Sequence, residues 1–97
     1  MGLTATGWSN KRGTSQRNCT CGTWKKHWIN FSDKRWPTSC TVVGCNDNAS
    51  LGAHVYNPKV KGERIAPMCN ACNGQSRTFS LKPNTTLPSA NTNETCG

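Results

Sequence analysis

Acidic residues are scarce in this 97-residue chain: four Asp and Glu stand against twelve Lys and Arg, for a formal net charge of +8. An excess of this sign raises the electrostatic potential around a small domain and favours polyanionic partners, most often nucleic acid. The alternative is that the charge serves solubility, because a small domain commonly carries a net charge of about 2–8. A long basic amphipathic helix is also missing, which argues against an anionic membrane surface. We therefore expect DNA or RNA as the partner, and no membrane.

Long hydrophobic runs are missing as well. No apolar segment follows Met1, and residues 1–17 are polar and basic. The sequence therefore predicts neither a secretory signal nor a membrane span, and it favours a cytoplasmic location. Hydrophobic residues make up 33% of the chain. A single domain of this size and composition buries a small core, so a cross-link or a metal is expected to stabilise it.

Cysteine, by contrast, is abundant, and four of the seven cysteines form two closely spaced pairs. Cys40-x4-Cys45 and Cys69-x2-Cys72 are separated by 23 residues. Zinc takes four thiolates in a tetrahedron, and each short-spaced pair supplies two of them from one turn of backbone. A reducing cytosol and an odd number of cysteines favour metal, whereas a secreted form with disulfides is the alternative. The pattern predicts one structural zinc ion.

The other three cysteines lie near the two ends of the chain. Cys19, Cys21 and Cys96 could share a second zinc ion, with His27 completing a Cys3His ligand set. We expect His27 to be accessible for this role, because it lies off the aromatic stripe of the first predicted helix. A disulfide from Cys96 to one of the other two and three free thiols are the alternatives.

Local signals predict one helix before the cysteine pairs. Thr23 is a suitable N-cap, and Trp24, Trp28 and Phe31 recur at helical spacing. We therefore expect a helix over 23–31, and we expect its aromatic stripe to belong to the core rather than to a base-stacking platform, because so large an exposed patch is unusual.

The remaining segments predict a hairpin, a second helix and two flanking extensions. Strands are expected at 52–56 and 64–68, joined by a turn that contains Asn57, Pro58 and Gly62. A second helix is expected from 69–72 to 79 or 81. The predicted organisation is a flexible basic arm over 1–17, a zinc-binding domain over 18–81, and an extended tail over 82–97 that Cys96 could tie back.

A cysteine pair, a hairpin and a second pair that opens a helix resemble an HNH-type zinc module, whose ββα core is braced by four cysteines. The similarity covers 40–79. It rests on the two cysteine pairs, on the piece Gly52-Ala53-His54-Val55, and on the ending Ile-x-Pro-Met-Cys-x2-Cys-Asn. The resemblance implies an α+β fold of HNH-like, treble-clef architecture (zinc turn, β-hairpin, helix) with an extra N-terminal helix.

The resemblance also implies roles for two residues of the hairpin and helix. In active HNH nucleases a histidine activates water and a residue on the helix binds a divalent metal, so by position His54 is the general base and Asn73 the ligand of magnesium or manganese. The acid that often precedes the histidine is Ala53 here, and the middle asparagine falls near Arg64. The resemblance therefore implies degenerate catalysis, and a structural, hydrogen-bonded His54 is the alternative.

The predicted function is that of a zinc-binding protein that binds nucleic acid through a basic surface. The cations expected there flank the hairpin or lie on the first helix: Lys59, Lys61, Arg64, Lys25 and Lys26. An active HNH endonuclease that uses His54 is one alternative. A zinc-stabilised adaptor that displays a protein-binding surface is the other.

Overall fold

The computed structural model describes residues 5–11, 20–91 and 95. Its elements follow in the order β1 (Ser9–Asn10), α1 (Trp24–Ser32), β2 (Leu51–Asn57), β3 (Val60–Met68) and α2 (Asn70–Asn73). The three strands form one antiparallel sheet in the order β1-β2-β3. The predicted α+β class is therefore confirmed. Within the described ranges, neither helix is long and apolar enough to cross a membrane.

The hairpin of β2 and β3 is tighter than the sequence predicted. Asn57 pairs with Val60, which leaves Pro58 and Lys59 as the turn. The side chain of Asn57 closes this turn, because its Oδ1 accepts a hydrogen bond of 2.9 Å from the N–H of Lys59. Gly62, expected in the turn, lies within β3 near a shift in the strand register.

Strand alternation gives the hairpin two faces, because successive side chains point to opposite sides of a sheet. Ala53 and Val55 lie on the first side, the core face, together with Ala66, which pairs with Ala53. Gly52 and His54 lie on the second side, the helix face, where α1 packs against them. The cysteine pairs belong to the hydrophobic cluster of the core face.

Helix α1 begins and ends where its flanking residues predict. The Oγ1 of Thr23 accepts a hydrogen bond of 3.1 Å from the N–H of Lys26, which satisfies one of the free donors at the helix start. The helix ends at Asp33, which adopts a left-handed conformation with φ of 58°. The predicted helix over 23–31 is therefore confirmed to within one residue at each end.

The buried side of α1 differs from the predicted aromatic stripe. Trp28 is 3% exposed and Trp24 is half-buried, whereas Phe31 is 41% exposed. His27 is fully buried, so the expectation that it would be accessible is wrong. The physical reason is that the helix turns His27 inward, where its ring packs against those of Trp24 and Phe31 at centroid distances of 4.9 and 5.0 Å.

The N-terminal residues enter the core rather than forming a flexible arm throughout. Trp8 is fully buried, and its backbone exchanges hydrogen bonds of 3.0 and 2.8 Å with that of Phe79. Ser9 and Asn10 pair with β2 as β1. The prediction of an arm is therefore wrong for 8–10, because burial of a single large indole outweighs the polar composition around it. The other parts of that arm, 1–4 and 12–17, lie outside the described residues.

Helix α2 is a single turn, so the prediction that it continues to 79 or 81 is wrong. It ends at Asn73, and Gly74 caps it. Beyond it, Phe79 and Leu81 are buried while Ser80 between them is less so, which is the alternation of an extended strand. Leu81 forms an antiparallel bridge with Val42. Residues 79–81, which we call the second layer, cover the core face of the sheet.

Residues 86–91, the C-terminal segment, lie along the free edge of β3. The N–H of Ile65 donates to the carbonyl of Pro88 at 3.0 Å, and the N–H of Ala90 donates to the carbonyl of Glu63 at 2.9 Å. These hydrogen bonds extend the sheet and cover an edge that would otherwise expose unpaired backbone groups. The predicted tail is thus held by backbone pairing in this part, whereas Cys96 lies outside the described residues.

Side chains of α1 and β3 also form hydrogen bonds with the backbone of the same segment. The indole N–H of Trp28 donates to the carbonyl of Thr86 at 2.8 Å, and Nε2 of His27 lies 2.8 Å from the carbonyl of Ser89. Because a carbonyl only accepts, this contact requires the proton of His27 on Nε2. The guanidinium of Arg64 also donates to the carbonyl of Leu87 at 3.2 Å.

Candidate metal centre

The two predicted cysteine pairs converge on one point beside the core face. The sulfur atoms of Cys40, Cys45, Cys69 and Cys72 all lie within 4.8 Å of one another. The Sγ atoms of Cys45 and Cys69 are 3.7 Å apart. A tetrahedron with zinc–sulfur bonds of about 2.3 Å has sulfur–sulfur edges of about 3.8 Å. The cluster therefore has the dimensions that a four-coordinate metal ion requires.

The first pair is held by a tight turn. The N–H of Cys45 donates to the carbonyl of Val42 at 3.1 Å, and the N–H of Cys40 donates to the carbonyl of Asp47 at 2.8 Å. Gly44 has φ of 85°, a conformation that side chains disfavour, so a glycine suits this position. The turn brings both sulfurs to the same side of the backbone.

The second pair is held by the start of α2. Cys69 is the N-cap of this helix, and its Sγ accepts the N–H of Cys72 at 3.4 Å. Asn10 fixes the other end, because its Nδ2 donates to the carbonyls of Cys72 and Gln75 at 2.8 and 3.0 Å. The one-turn helix positions both sulfurs, and the hydrogen bonds from Asn10 of β1 hold its C-terminal end.

The protonation of the thiols responds to burial and to one backbone donor. The N–H of Cys72 lowers the pKa of the Cys69 thiol, because it stabilises the thiolate. Burial raises the pKa of Cys40 and, much further, that of Cys72, where the neighbouring thiols add to the effect. Four thiolates would repel one another in this space, so a bound cation is needed to compensate for their charge.

The chemistry of the donor set decides which ions fit. Four thiols and no oxygen donors suit zinc, a borderline-soft ion, whereas magnesium and calcium prefer oxygen ligands. The five cysteines in the described ranges form no disulfides with one another in the structure. The four-cysteine cluster could therefore hold one metal ion, as the spacing of the pairs predicted.

The residues predicted for a second zinc site are only partly within the described ranges. Cys19 and Cys96 lie outside those ranges. Cys21 is half-buried, and His27 is buried with Nε2 at the carbonyl of Ser89. That hydrogen bond occupies one of the two ring nitrogens that could have bound a metal.

The two residues to which the resemblance assigns catalytic roles occupy different environments. His54 is 4% exposed on the helix face, where its ring forms a T-shaped pair with the ring of Trp24 at a centroid distance of 4.3 Å. Asn73 is exposed at the end of α2, beside the cysteine cluster. Ala53, which occupies the acid position, is 2% exposed in the hydrophobic cluster of the core face. His54 and the cysteines therefore lie on opposite faces of the hairpin.

The predicted nucleic-acid-binding cations differ in exposure. Lys59 and Lys61 on the hairpin and Lys26 on α1 are exposed. Lys25 is also exposed, and its ammonium lies 5.1 Å from the centroid of the Trp36 ring. Arg64 differs from the others, since it is partly buried and its guanidinium is used to hold the C-terminal segment.

Two residues that support the cluster were missed by the sequence reasoning. Lys82 donates from Nζ to the carbonyl of Cys45 at 2.7 Å, and Asn10 holds Cys72 as described above. Both act on the backbone of a cysteine far away in the sequence, so no local spacing could identify them. Only the long-range pairing of 8–10 and 79–82 with the core brings them to the site.

Comparisons of the chain with protein-family models, curated proteins and solved structures find no match. The resemblance to HNH modules therefore has no support from overall similarity. Function has to be inferred from the geometry of the cysteine cluster and from the positions of the charged side chains.

Proposed function

We propose that this protein is a zinc-stabilised module that binds nucleic acid. The observation that supports zinc is the convergence of four thiols within 4.8 Å, with one sulfur–sulfur distance of 3.7 Å. The role of the ion is structural, because all four positions of the tetrahedron are filled by protein ligands and none is left for a substrate or a water.

The observation that supports nucleic acid is the distribution of cations over the surface. The described residues include ten Lys and Arg against three acids, Asp33, Asp47 and Glu63. Eight of the cations are exposed: Lys11, Lys25, Lys26, Lys34, Arg35, Lys59, Lys61 and Arg77. A surface of this kind attracts phosphates and releases counterions when it binds them. The exposed lysines of the hairpin, Lys59 and Lys61, remain the first candidates for phosphate contacts.

In this proposal the chain is a degenerate relative of HNH modules. The turn between the first two cysteines, the hairpin and the N-capping Cys69 support this relationship, whereas α2 is shorter than a treble clef implies. The burial of His54 and the alanine at position 53 do not favour an active nuclease, because a general base has to reach the water that it activates.

The zinc content can be tested by mass spectrometry of the native protein. We expect at least one zinc ion per chain at the four-cysteine cluster. A second site formed by Cys19, Cys21, His27 and Cys96 would add a second ion, which would be lost on deletion of the last residues. A native, folded protein without bound metal would contradict the proposal.

Binding is tested by titrating DNA and RNA oligonucleotides at several salt concentrations. Affinity should fall with salt with a log–log slope of about −0.9 per phosphate neutralised on duplex DNA. The double variant Lys59→Gln/Lys61→Gln should flatten this slope. Absence of binding at low salt would contradict the proposal and favour an adaptor that binds protein. Nicking of DNA with magnesium or manganese that is lost in a folded His54→Ala variant would favour the nuclease.

A further inference from the structure

A groove of about 380 Å³ lies between the end of α1 and the chain that follows the second layer. Its lining includes Lys34 and Arg35, which follow α1, and residues 82–86. We call this the basic groove. Its volume is near the lower end of ligand sites, which commonly measure about 300–1,000 Å³. The groove lies outside the hairpin to which the sequence assigned most of the phosphate contacts.

The charge of the basic groove has one sign. Lys34, Arg35 and Lys82 line it, and its described lining contains no acidic side chain. Lys34 and Arg35 are exposed, whereas Lys82 is half-buried and its Nζ lies 2.7 Å from the carbonyl of Cys45. A concave site lined by both exposed and half-buried cations concentrates the positive electrostatic potential and attracts an anion. The hydroxyls of Ser39 and Thr86 provide further polar groups in the same lining.

Residues 82–85, which line the groove together with Lys34 and Arg35, form a defined turn. The N–H of Thr85 donates to the carbonyl of Lys82 at 3.3 Å, Pro83 occupies the second position, and Asn84 has φ of 65°. This is the pattern of a type II turn, in which proline and a residue with positive φ occupy the central positions. The hydroxyl of Thr85 also donates to the carbonyl of Lys82 at 2.6 Å. Binding here would therefore require little ordering of the backbone.

A side chain of α1 forms a hydrogen bond with the chain that follows the turn. The indole N–H of Trp28 donates to the carbonyl of Thr86, and Trp28 itself is 3% exposed. The ring is thus a structural part of the groove and offers no face on which a base could stack. Recognition in the groove would depend on phosphates rather than on bases.

We propose that the basic groove binds the phosphodiester backbone of a single strand of nucleic acid. This rests on the proposed function and adds the place and the form of the ligand. A single strand can bend into a concave site and bring a phosphate toward the half-buried Lys82, whereas the regular backbone of a duplex reaches mainly the exposed Lys34 and Arg35. Grooves of this kind follow the backbone of single strands with little sequence preference.

The test compares two double variants, each of which removes one lysine and one arginine. Lys34→Gln/Arg35→Gln changes the groove, and Lys11→Gln/Arg77→Gln is the control, with one lysine and one arginine that are exposed and outside the groove. Binding of fluorescent 12-nucleotide single strands of mixed sequence is measured by anisotropy at several salt concentrations. The groove variant should bind about tenfold more weakly at low salt, and its log–log slope should fall by about 1.4, or about 0.7 per phosphate contact on single strands. The control removes the same number of charges from the general basic surface, so it should weaken binding several-fold less than the groove variant does, because these charges add only to the overall attraction of phosphates.

The outcomes separate this proposal from the proposed function. Equal weakening by both variants, or a preference for duplex over single strands, would overturn the basic groove while leaving nucleic-acid binding intact. Absence of binding by the unchanged protein would overturn both. All four substituted residues are exposed. A circular dichroism spectrum and a zinc content equal to those of the unchanged protein establish that each double variant is folded. A tenfold difference in affinity between two base compositions would also contradict the groove, because a site that binds the phosphodiester backbone has little sequence preference.

Discussion

The two faces of the hairpin are held by different kinds of interaction. On the core face, four cysteines and a small set of apolar side chains form one cluster, which the second layer covers. On the helix face, α1 and the C-terminal segment are linked by hydrogen bonds from the side chains of His27 and Trp28 to backbone carbonyls. If the four cysteines hold zinc as proposed, the first arrangement depends on an ion, whereas the second depends on the protein alone.

This difference predicts an unequal response to mutation. A buried cluster of thiols without its cation contains groups that are poorly packed and readily oxidised, so the core face should fail as a unit. The hydrogen bonds of the helix face are local and individually modest, each contributing about 0.5–1.5 kcal/mol. Losses on that face should therefore be graded, and should leave the metal site in place.

The largest effect is expected from Cys69→Ser. Serine can still cap α2, so the substitution removes the thiolate while keeping the local hydrogen-bonding pattern. Structural zinc contributes about 10–16 kcal/mol in small zinc domains, which is as large as the stability of most domains. We expect loss of the cooperative thermal transition and of the cluster's zinc. Cys21→Ser, outside the cluster, should keep both. A cooperative, metal-free fold of unchanged stability in Cys69→Ser would contradict the comparison.

A smaller but still large effect is expected from Trp28→Ala. The indole is almost fully buried and donates to the carbonyl of Thr86, so its removal leaves a cavity and loosens the C-terminal segment. Truncation of a buried tryptophan lowers the free energy of unfolding by about 3–5 kcal/mol. Urea unfolding would measure this loss. Trp28→Phe should lose less, because most of the ring volume is kept. Zinc bound per folded chain should not change, and a parallel loss of zinc would show that the two faces are not independent.

Gly52→Ala should destabilise the helix face through a backbone clash. A Cβ at this position would lie 2.6 Å from the carbonyl carbon of Trp24, closer than two such atoms can approach. Since the obstacle is backbone, α1 would have to move away from the sheet, at a cost of about 1–3 kcal/mol. Gly74→Ala is the control, because its Cβ would meet the nearest atom at 3.6 Å. Equal midpoints of urea unfolding for the two variants would contradict the close approach of α1 to β2.

The smallest effect is expected from Thr23→Ala. It removes the hydroxyl that accepts the N–H of Lys26 and should lower the free energy of unfolding by about 1 kcal/mol. Thr23→Ser retains the acceptor and should remain close to the unchanged protein. An alanine variant as stable as the serine variant would mean that the cap contributes nothing and that packing alone defines the start of α1.

Predictions from the sequence succeeded where the signal is local. The spacing of the cysteine pairs and the Thr23 cap each involve residues within one turn of backbone, and both are present in the structure. The hairpin was also predicted, although its strands are longer and its turn is tighter.

The errors arose where distant residues decide the outcome. Phe79 and Leu81 were assigned to a helix, yet their spacing of two is that of a strand, and pairing with Trp8 and Val42 selects the extended form. Trp8 was assigned to a flexible arm because its neighbours are polar, and nothing near it in the sequence shows that the core accepts it. His27 was expected to be accessible, yet its ring packs against Trp24 and Phe31 and its Nε2 contacts the distant C-terminal segment.

The pairing of Trp8 with Phe79 has a consequence for synthesis of the chain. All four cysteines of the cluster leave the ribosome before Phe79 and Leu81, so metal can be captured while the core face is still uncovered. Until the second layer emerges, Trp8 lacks its backbone partner and the apolar side of the hairpin faces solvent. At about 5–20 residues per second this interval lasts of the order of a second. Contacts between such distant segments also form slowly, so the uncovered apolar side of the hairpin is exposed to aggregation for that interval.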